Sequence, residues 1–255
     1  MAKAKILKSL YISLATVSLV VLGWSAYAVV NYFHTSPRYE VKAIVVSGLH
    51  RVNEDDVLAR AEFEPGTNVF MADLDDIRER VEQLEWVRQA IVKRVLPDQI
   101  IIKVTERQPI GLSRMDGEVY QFDVDAMILD IDPIGTASFP IVDGLRRGDT
   151  TGNLEKVQTY EKVLEEVGET ELSEVHINET GEVSLVSASD ALLVSLGKED
   201  FRSRWVKFLQ LKPQIMQQYP GAVRVDLRFK NQVIVRMRDD DAGEKIVWDV
   251  EKRSL

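Results

Sequence analysis

Cysteine is absent from the 255 residues. Its absence excludes disulfides, a thiolate nucleophile and any cysteine-ligated metal. Histidine is almost as scarce. His34, His50 and His176 are the only three, which argues against a histidine-built metal cluster. The chain has no glycine-rich phosphate loop, no G-x-S-x-G elbow and no H-E-x-x-H, and no internal repeat. No cofactor, metal or small-molecule substrate is expected, and no catalytic residue is assigned. Positive charge is also in deficit, with 32 basic against 41 acidic residues and a net charge of −9. An acidic chain repels phosphate, so nucleic acid is not an expected partner. Among so many acids chance carboxylate pairs are common, and none stands above its neighbours. Asp123, Asp125, Asp130 and Asp132 do not have the spacing of a calcium loop, which needs a glycine at position six and a glutamate at twelve.

Charge is missing altogether between Lys8 and Arg38. The apolar run Leu10–Val30 would rise about 31 Å as a helix at roughly 1.5 Å per residue, close to the hydrocarbon thickness of a bilayer. Lys3, Lys5 and Lys8 favour a cytoplasmic N-terminus, and Trp24, Tyr27, Tyr32 and Phe33 suit an aromatic belt at the far side. Ala26-Tyr27-Ala28 has the form of a signal-peptidase site, so a cleaved leader is the rival reading. The length of the run and its continuation through Val29-Val30 favour a retained anchor. In both readings the chain beyond residue 34 is expected outside the cytoplasm.

Tyr39–Ser47 is rich in β-branched residues and reads as a strand ended by Gly48. Asn53 is placed to cap a helix whose first turn holds Glu54, Asp55 and Asp56. Leu74, Ile77, Val81 and Leu84 mark the buried face of a second helix. Val87–Val95 and Ile100–Glu106 read as strands joined at Leu96-Pro97-Asp98-Gln99. This β-α-α-β-β order resembles a POTRA domain, the polypeptide-transport-associated fold. The resemblance rests on Val46-Ser47-Gly48, Gly66-Thr67-Asn68-Val69-Phe70, Trp86-Val87, Arg94-Val95-Leu96-Pro97 and Glu106-Arg107-Gln108-Pro109. Gly66 and Asn68 read as turn formers. Glu106-Arg107 reads as a solvated strand end leading to the next domain.

Leu112–Met237 is strand-rich, with a hairpin signal at Asp116-Gly117. It holds a helix capped by Asn153 that buries Leu154, Val157, Tyr160, Leu164 and Val167. A second helix, Phe201–Gln217, buries Phe201, Trp205, Phe208 and Leu209, and Pro213 is expected to kink it. The fold class is α+β: a transmembrane helix, a POTRA-like domain, then a β-rich domain with two helices on a sheet. The expected division is 1–8 cytoplasmic tail, 9–33 transmembrane helix, 39–110 POTRA-like domain, 112–238 β-rich domain and 239–255 C-terminal tail.

This order resembles the bacterial cell-division family FtsQ, called DivIB in Gram-positive bacteria. In the second module the resemblance is carried by Leu196-Gly197 ahead of the last helix and by Val225-Asp226-Leu227-Arg228-Phe229. It implies a non-enzymatic scaffold of the septal machinery in the cell inner membrane, with its bulk in the periplasm. It implies binding to FtsB and FtsL, small coiled-coil division proteins, and to other divisome membrane proteins. FtsB would dock beside the last strand. A POTRA-type transport or assembly factor is the alternative, but no series of alternating barrel strands comes after the POTRA-like module. An anchored periplasmic hydrolase is a further one.

Val223–Met237 reads as a basic, apolar hairpin. A two-residue turn at Lys230-Asn231 would pair Leu227 with Ile234 and Val225 with Arg236. Val223, Val225, Leu227 and Phe229 would then face the core. Arg224, Asp226 and Arg228 would share the open face with Val233, Val235 and Met237. Arg and Met are enriched at interfaces, and a free strand edge can accept an added strand. The expected partner-binding residues are therefore Arg224, Arg228, Phe229, Val233, Val235 and Met237. A one-residue longer turn would swap the faces of the second arm, and the tail Lys245–Val250 could cover the edge.

Overall fold

The structure is a computed structural model that describes residues 2–64, 66–131, 139–169, 171–230, 232–237 and 245–249. Asp132, Asn231 and Val250 lie outside the described residues. The chain divides into two compact units, Met1–Arg107 and Gln108–Leu255.

The first unit opens with helix α1, Ala2–Thr35. Its segment Tyr11–Thr35 is long and apolar enough to cross a membrane and is not buried against the protein. A 3-10 turn, Pro37–Tyr39, comes directly after it, with Ser36 at its N-cap. The expected strand from Tyr39 therefore starts later, as β1, Ala43–Ser47. Before it, the N–H groups of Val41 and Lys42 bond the Thr67 and Asp98 carbonyls. Helix α2 is Glu54–Ala61. Asn53 sits at its N-cap, but its side chain makes no capping bond, leaving the acids of the first turn to meet the helix dipole. Helix α3 is Leu74–Glu82, capped by Asp73, whose carboxylate accepts from the N–H groups of Asp75 and Asp76. Strands β2, Val87–Val95, and β3, Gln99–Glu106, complete a sheet of order β1-β3-β2. β1 runs parallel to β3 and β2 antiparallel to it.

Period-two alternation in β3 buries Ile100, Ile102 and Val104 against Val57, Ala61, Ile77 and Val81 of the two helices. Each such side chain contributes roughly 1.5–3 kcal/mol on full burial. Gly48 ends β1 at φ +88°, and a Cβ there would overlap the Val104 carbonyl oxygen. Glu106 turns back into its own unit rather than toward the next domain. Its carboxylate accepts from the N–H groups of His50 (2.8 Å), Arg51 (3.0 Å) and Val52 (2.9 Å).

The second unit is one large mixed sheet. Its strands are β4 (Pro109–Met115), β5 (Glu118–Asp123), β6 (Ile128–Ile131), β7 (Ile141–Asp143), β8 (Leu172–Ile177), β9 (Val183–Ser187), β10 (Leu193–Gly197), β11 (Ala222–Asp226), β12 (Gln232–Met237) and β13 (Lys245–Asp249). Among the described residues the order is β13-β12-β11-β10-β9-β8-β7-β4-β5-β6. Asp116 and Gly117 both take positive φ, as the β4–β5 hairpin turn requires.

Helices α4, Thr150–Val167, and α5, Phe201–Gln218, contribute Val157, Tyr160, Val163, Phe201, Trp205 and Phe208 to the core. The α4 start differs from the expectation. Asp149 is the cap, accepting from Gly152 N–H, and Asn153 lies inside the helix. There Asn153 is buried and exchanges two hydrogen bonds with the Arg146 backbone. Leu154 and Leu209 point outward. Helix α5 continues through Pro213.

Candidate interaction surface

The last hairpin takes a register one residue away from the expected one. Val225 pairs with Val235, Asp226 with Ile234 and Arg224 with Arg236. The cause is local. The Asp226 carboxylate accepts from Arg228 N–H at 3.0 Å, an Asx-type turn. Leu227 N–H bonds back to the Ser195 carbonyl of β10 at 2.9 Å. Arm one therefore leaves its ladder at Asp226, and the connection to Gln232 is wider than a two-residue turn.

This register corrects part of the predicted partner surface. Val233 and Val235 are fully buried beside Val225 and Leu227. Met237 shares their parity and is half-buried. Phe229, expected to face the core, is 46% exposed. The open face instead carries Arg224, Asp226 and Arg228 from arm one with Ile234 and Arg236 from arm two. Together with Phe229 these residues line a depression of about 230 Å³. Sequence reasoning missed Ile234 and Arg236, because one residue of register exchanges both faces of a strand. The Asp226-x-Arg228 spacing was the available signal for an early turn.

Below the depression the polar groups hold one another. Arg228 grips Asp226 through Nε to Oδ1 at 3.0 Å and Nη2 to Oδ2 at 2.7 Å, and reaches Glu182 Oε2 with Nη1 at 3.0 Å. Burial by itself would raise the Asp226 carboxyl. The Arg228 hydrogen bonds and charge outweigh it and hold the group below the usual aspartate range. The Arg228 guanidinium is in turn raised, chiefly by its bond to Asp226. Arg224 donates to the buried Ser195 hydroxyl from Nη2 at 2.8 Å, and Ser184 donates to the same oxygen at 3.0 Å. Arg236 is exposed and enters no ion pair among the described residues. The arrangement offers an anion-binding guanidinium next to apolar Ile234 and Phe229. That pairing fits a carboxylate-bearing peptide.

The edge of arm two is occupied. β13 pairs antiparallel with β12, placing Val233 opposite Trp248 and Val235 opposite Ile246. Among the described residues the outermost strand on that side is therefore β13, not β12.

One further cluster has metal-ligand chemistry. Asp143 on β7 and Glu174 and His176 on β8 bring a ring nitrogen and two carboxylates together. Asp143 Oδ2 is 2.7 Å from Nδ1 of His176, and Glu174 Oε2 is 3.1 Å from Nε2. The carboxylates thus occupy different ring nitrogens, whereas a metal ion binds one nitrogen. Chelation would require a carboxylate to move, and Glu174 is also held by Arg114 at 3.3 Å.

A three-stranded β-α-α-β-β unit, then a large sheet with two helices packed on it, defines a mixed α+β protein of the POTRA class. Residues 39–107 match the family model "POTRA domain, FtsQ-type", and residues 111–228 match "Cell division protein FtsQ/DivIB, C-terminal". The chain belongs to the FtsQ/DivIB family of cell-division proteins.

Among its relatives is the cell division protein FtsQ of Koribacter versatilis, 28% identical over 232 residues. That match covers 85% of this chain and 67% of the relative. The FtsQ of Syntrophotalea carbinolica is 26% identical, covering 82% and 77%. A solved structure of the major extracytoplasmic domain of DivIB from Geobacillus stearothermophilus is 17% identical. It covers 46% of this chain and 96% of that one at a TM-score of 0.30.

Proposed function

We propose that this chain is a membrane-anchored, non-catalytic scaffold of the division machinery that binds FtsB- and FtsL-type partners through the open face of β11 and β12. The observation that carries the reading is the exposed Arg236 set beside Ile234 and Phe229 on a face otherwise closed by internal ion pairs. Membership of a cell-division family supplies the setting. In this reading α1 is a single-pass anchor with a cytoplasmic N-terminus, in the inner membrane. The domain limits are 39–110 and 112–238, between an anchor at 9–33 and a tail from 239. Arg224 and Arg228 shape the surface, and Phe229, Ile234 and Arg236 make the contact. Val233 and Val235 support it from beneath.

The test is co-purification of FtsB and FtsL homologues with the Arg236→Glu variant of the full chain. Recovery is expected to fall at least about tenfold, the scale of one lost charge-assisted contact. Undiminished recovery with an unchanged circular dichroism spectrum would remove this face from the interface.

A further inference from the structure

The passage from α1 into the first sheet contains no slack. A flexible tether is built from glycine and serine, whereas Thr35–Val41 here reads TSPRYEV. Ser36 N–H bonds the Tyr32 carbonyl at 3.0 Å and Tyr39 N–H bonds the Ser36 carbonyl at 3.0 Å. Pro37 fixes its own φ within the 3-10 turn. Glu40 forms a bridge with Asn68, and Val41 N–H bonds the Thr67 carbonyl at 2.9 Å. Val69 N–H returns to the Tyr39 carbonyl at 2.7 Å.

Asn68 closes this junction. It is 9% exposed. Its Nδ2 donates to the carbonyls of Phe33 and His34, both at 2.9 Å, and its Oδ1 accepts from Phe70 N–H at 2.9 Å. The last carbonyls of a helix have no partner within it. Here one side-chain amide satisfies two of them from the facing loop. An aromatic cluster packs around the bonds. Ring centroids are 5.3 Å apart for Phe33 and Tyr39, 5.6 Å for Phe33 and Phe70, and 5.2 Å for Tyr39 and Phe70. The loop is itself tied to the sheet, since Arg94 Nε of β2 donates to the Val69 carbonyl at 2.8 Å.

We propose that Asn68 is a clamp that joins the membrane helix rigidly to the POTRA-type unit, so that the two reorient as one body. A rotation or tilt imposed on α1 by a neighbouring membrane helix is then delivered to the sheet β1-β3-β2. The chemistry requires asparagine. Aspartate has nearly the same shape but no donor, so its carboxylate would face two carbonyl oxygens without a hydrogen atom between them.

The inference rests on the anchor reading for its setting, and the experiment separates the two. The absence of cysteine allows spin labels at Val29→Cys and Lys103→Cys in the full chain without other changes. Pulsed electron–electron distance measurement in lipid nanodiscs is expected to give one narrow distribution. Asn68→Asp should at least double its width while leaving the circular dichroism of the sheet unchanged. A broad distribution in the unsubstituted chain would overturn the clamp, as would a width that Asn68→Asp leaves unaltered. Should Asn68→Asp unfold, Asn68→Ala, which removes the amide without adding a charge, is expected to broaden the distribution in its place, and no broadening overturns the proposal. Alkaline carbonate extraction tests the anchor separately. Release of the chain would refute the anchor alone, and the same distances in detergent micelles would still decide the clamp.

Discussion

The carboxylate of Asp226 meets its Arg228 partner through both oxygens and also holds the Arg228 backbone, so its charge state governs the turn. Its folded pKa lies below the unfolded value. The stability it contributes is present above the unfolded pKa and is lost as pH falls through the folded one. Glu106 behaves alike. Burial would raise it, and the N–H groups of His50, Val52 and Arg51 hold it down. Acid unfolding is therefore expected to steepen below about pH 4, where these groups take up protons on unfolding. Asp226→Asn should flatten that limb when the urea midpoint is tracked against pH. Val233 gives a second residue-scale expectation. It is fully buried, so Val233→Glu should cost at least about 3 kcal/mol in chemical denaturation. Arg236→Glu, on the opposite face of the same strand, should change stability by less than about 0.5 kcal/mol.

Among the elements, β13 changes the interpretation of the last hairpin most. It pairs with β12 along Gln232–Arg236, the edge where strand addition was expected. A partner strand adding at that edge would compete with the tail strand for one ladder of backbone groups. A chain ending at Met237 is expected to recover FtsB- and FtsL-type partners more efficiently in co-purification. A fall in recovery would mean instead that β13 is the platform on which a partner adds. The β1 terminus carries its own expectation. Gly48→Ala combines positive φ with overlap on the Val104 carbonyl, and should destabilise the first unit by more than about 1 kcal/mol. The helix faces of α3 and α5 were legible from spacing alone, because Ile77 and Val81, and Phe201, Trp205 and Phe208, recur at the helical period. The start of α4 was not. Aspartate and asparagine both suit an N-cap, and in the fold Asp149 takes that place while Asn153, inside the helix, bonds the Arg146 backbone instead.

At the scale of the whole molecule, the two hydrophobic cores share no residue among the described ones. Thermal unfolding of the full chain in detergent is expected to show two transitions, with Gly48→Ala lowering one and leaving the other in place. Calorimetry that resolves a single transition shifted as a unit would contradict this independence.

The sequence by itself determined the apolar N-terminal helix, the order of elements, the family and most of the core. The helix, the order and the core come from composition or from periodicity within one segment, and the family from the resemblance of short motifs, all of them properties of the chain read in one dimension. The tertiary structure alone decided which face of β12 is open, that the tail strand takes its edge, and that Asn68 meets the end of α1. Register depends on where Asp226 and Ser195 meet across strands. A clamp depends on an amide reaching a helix end 34 and 35 residues earlier in the chain. No local pattern encodes such distances, because they are set by how separate segments pack.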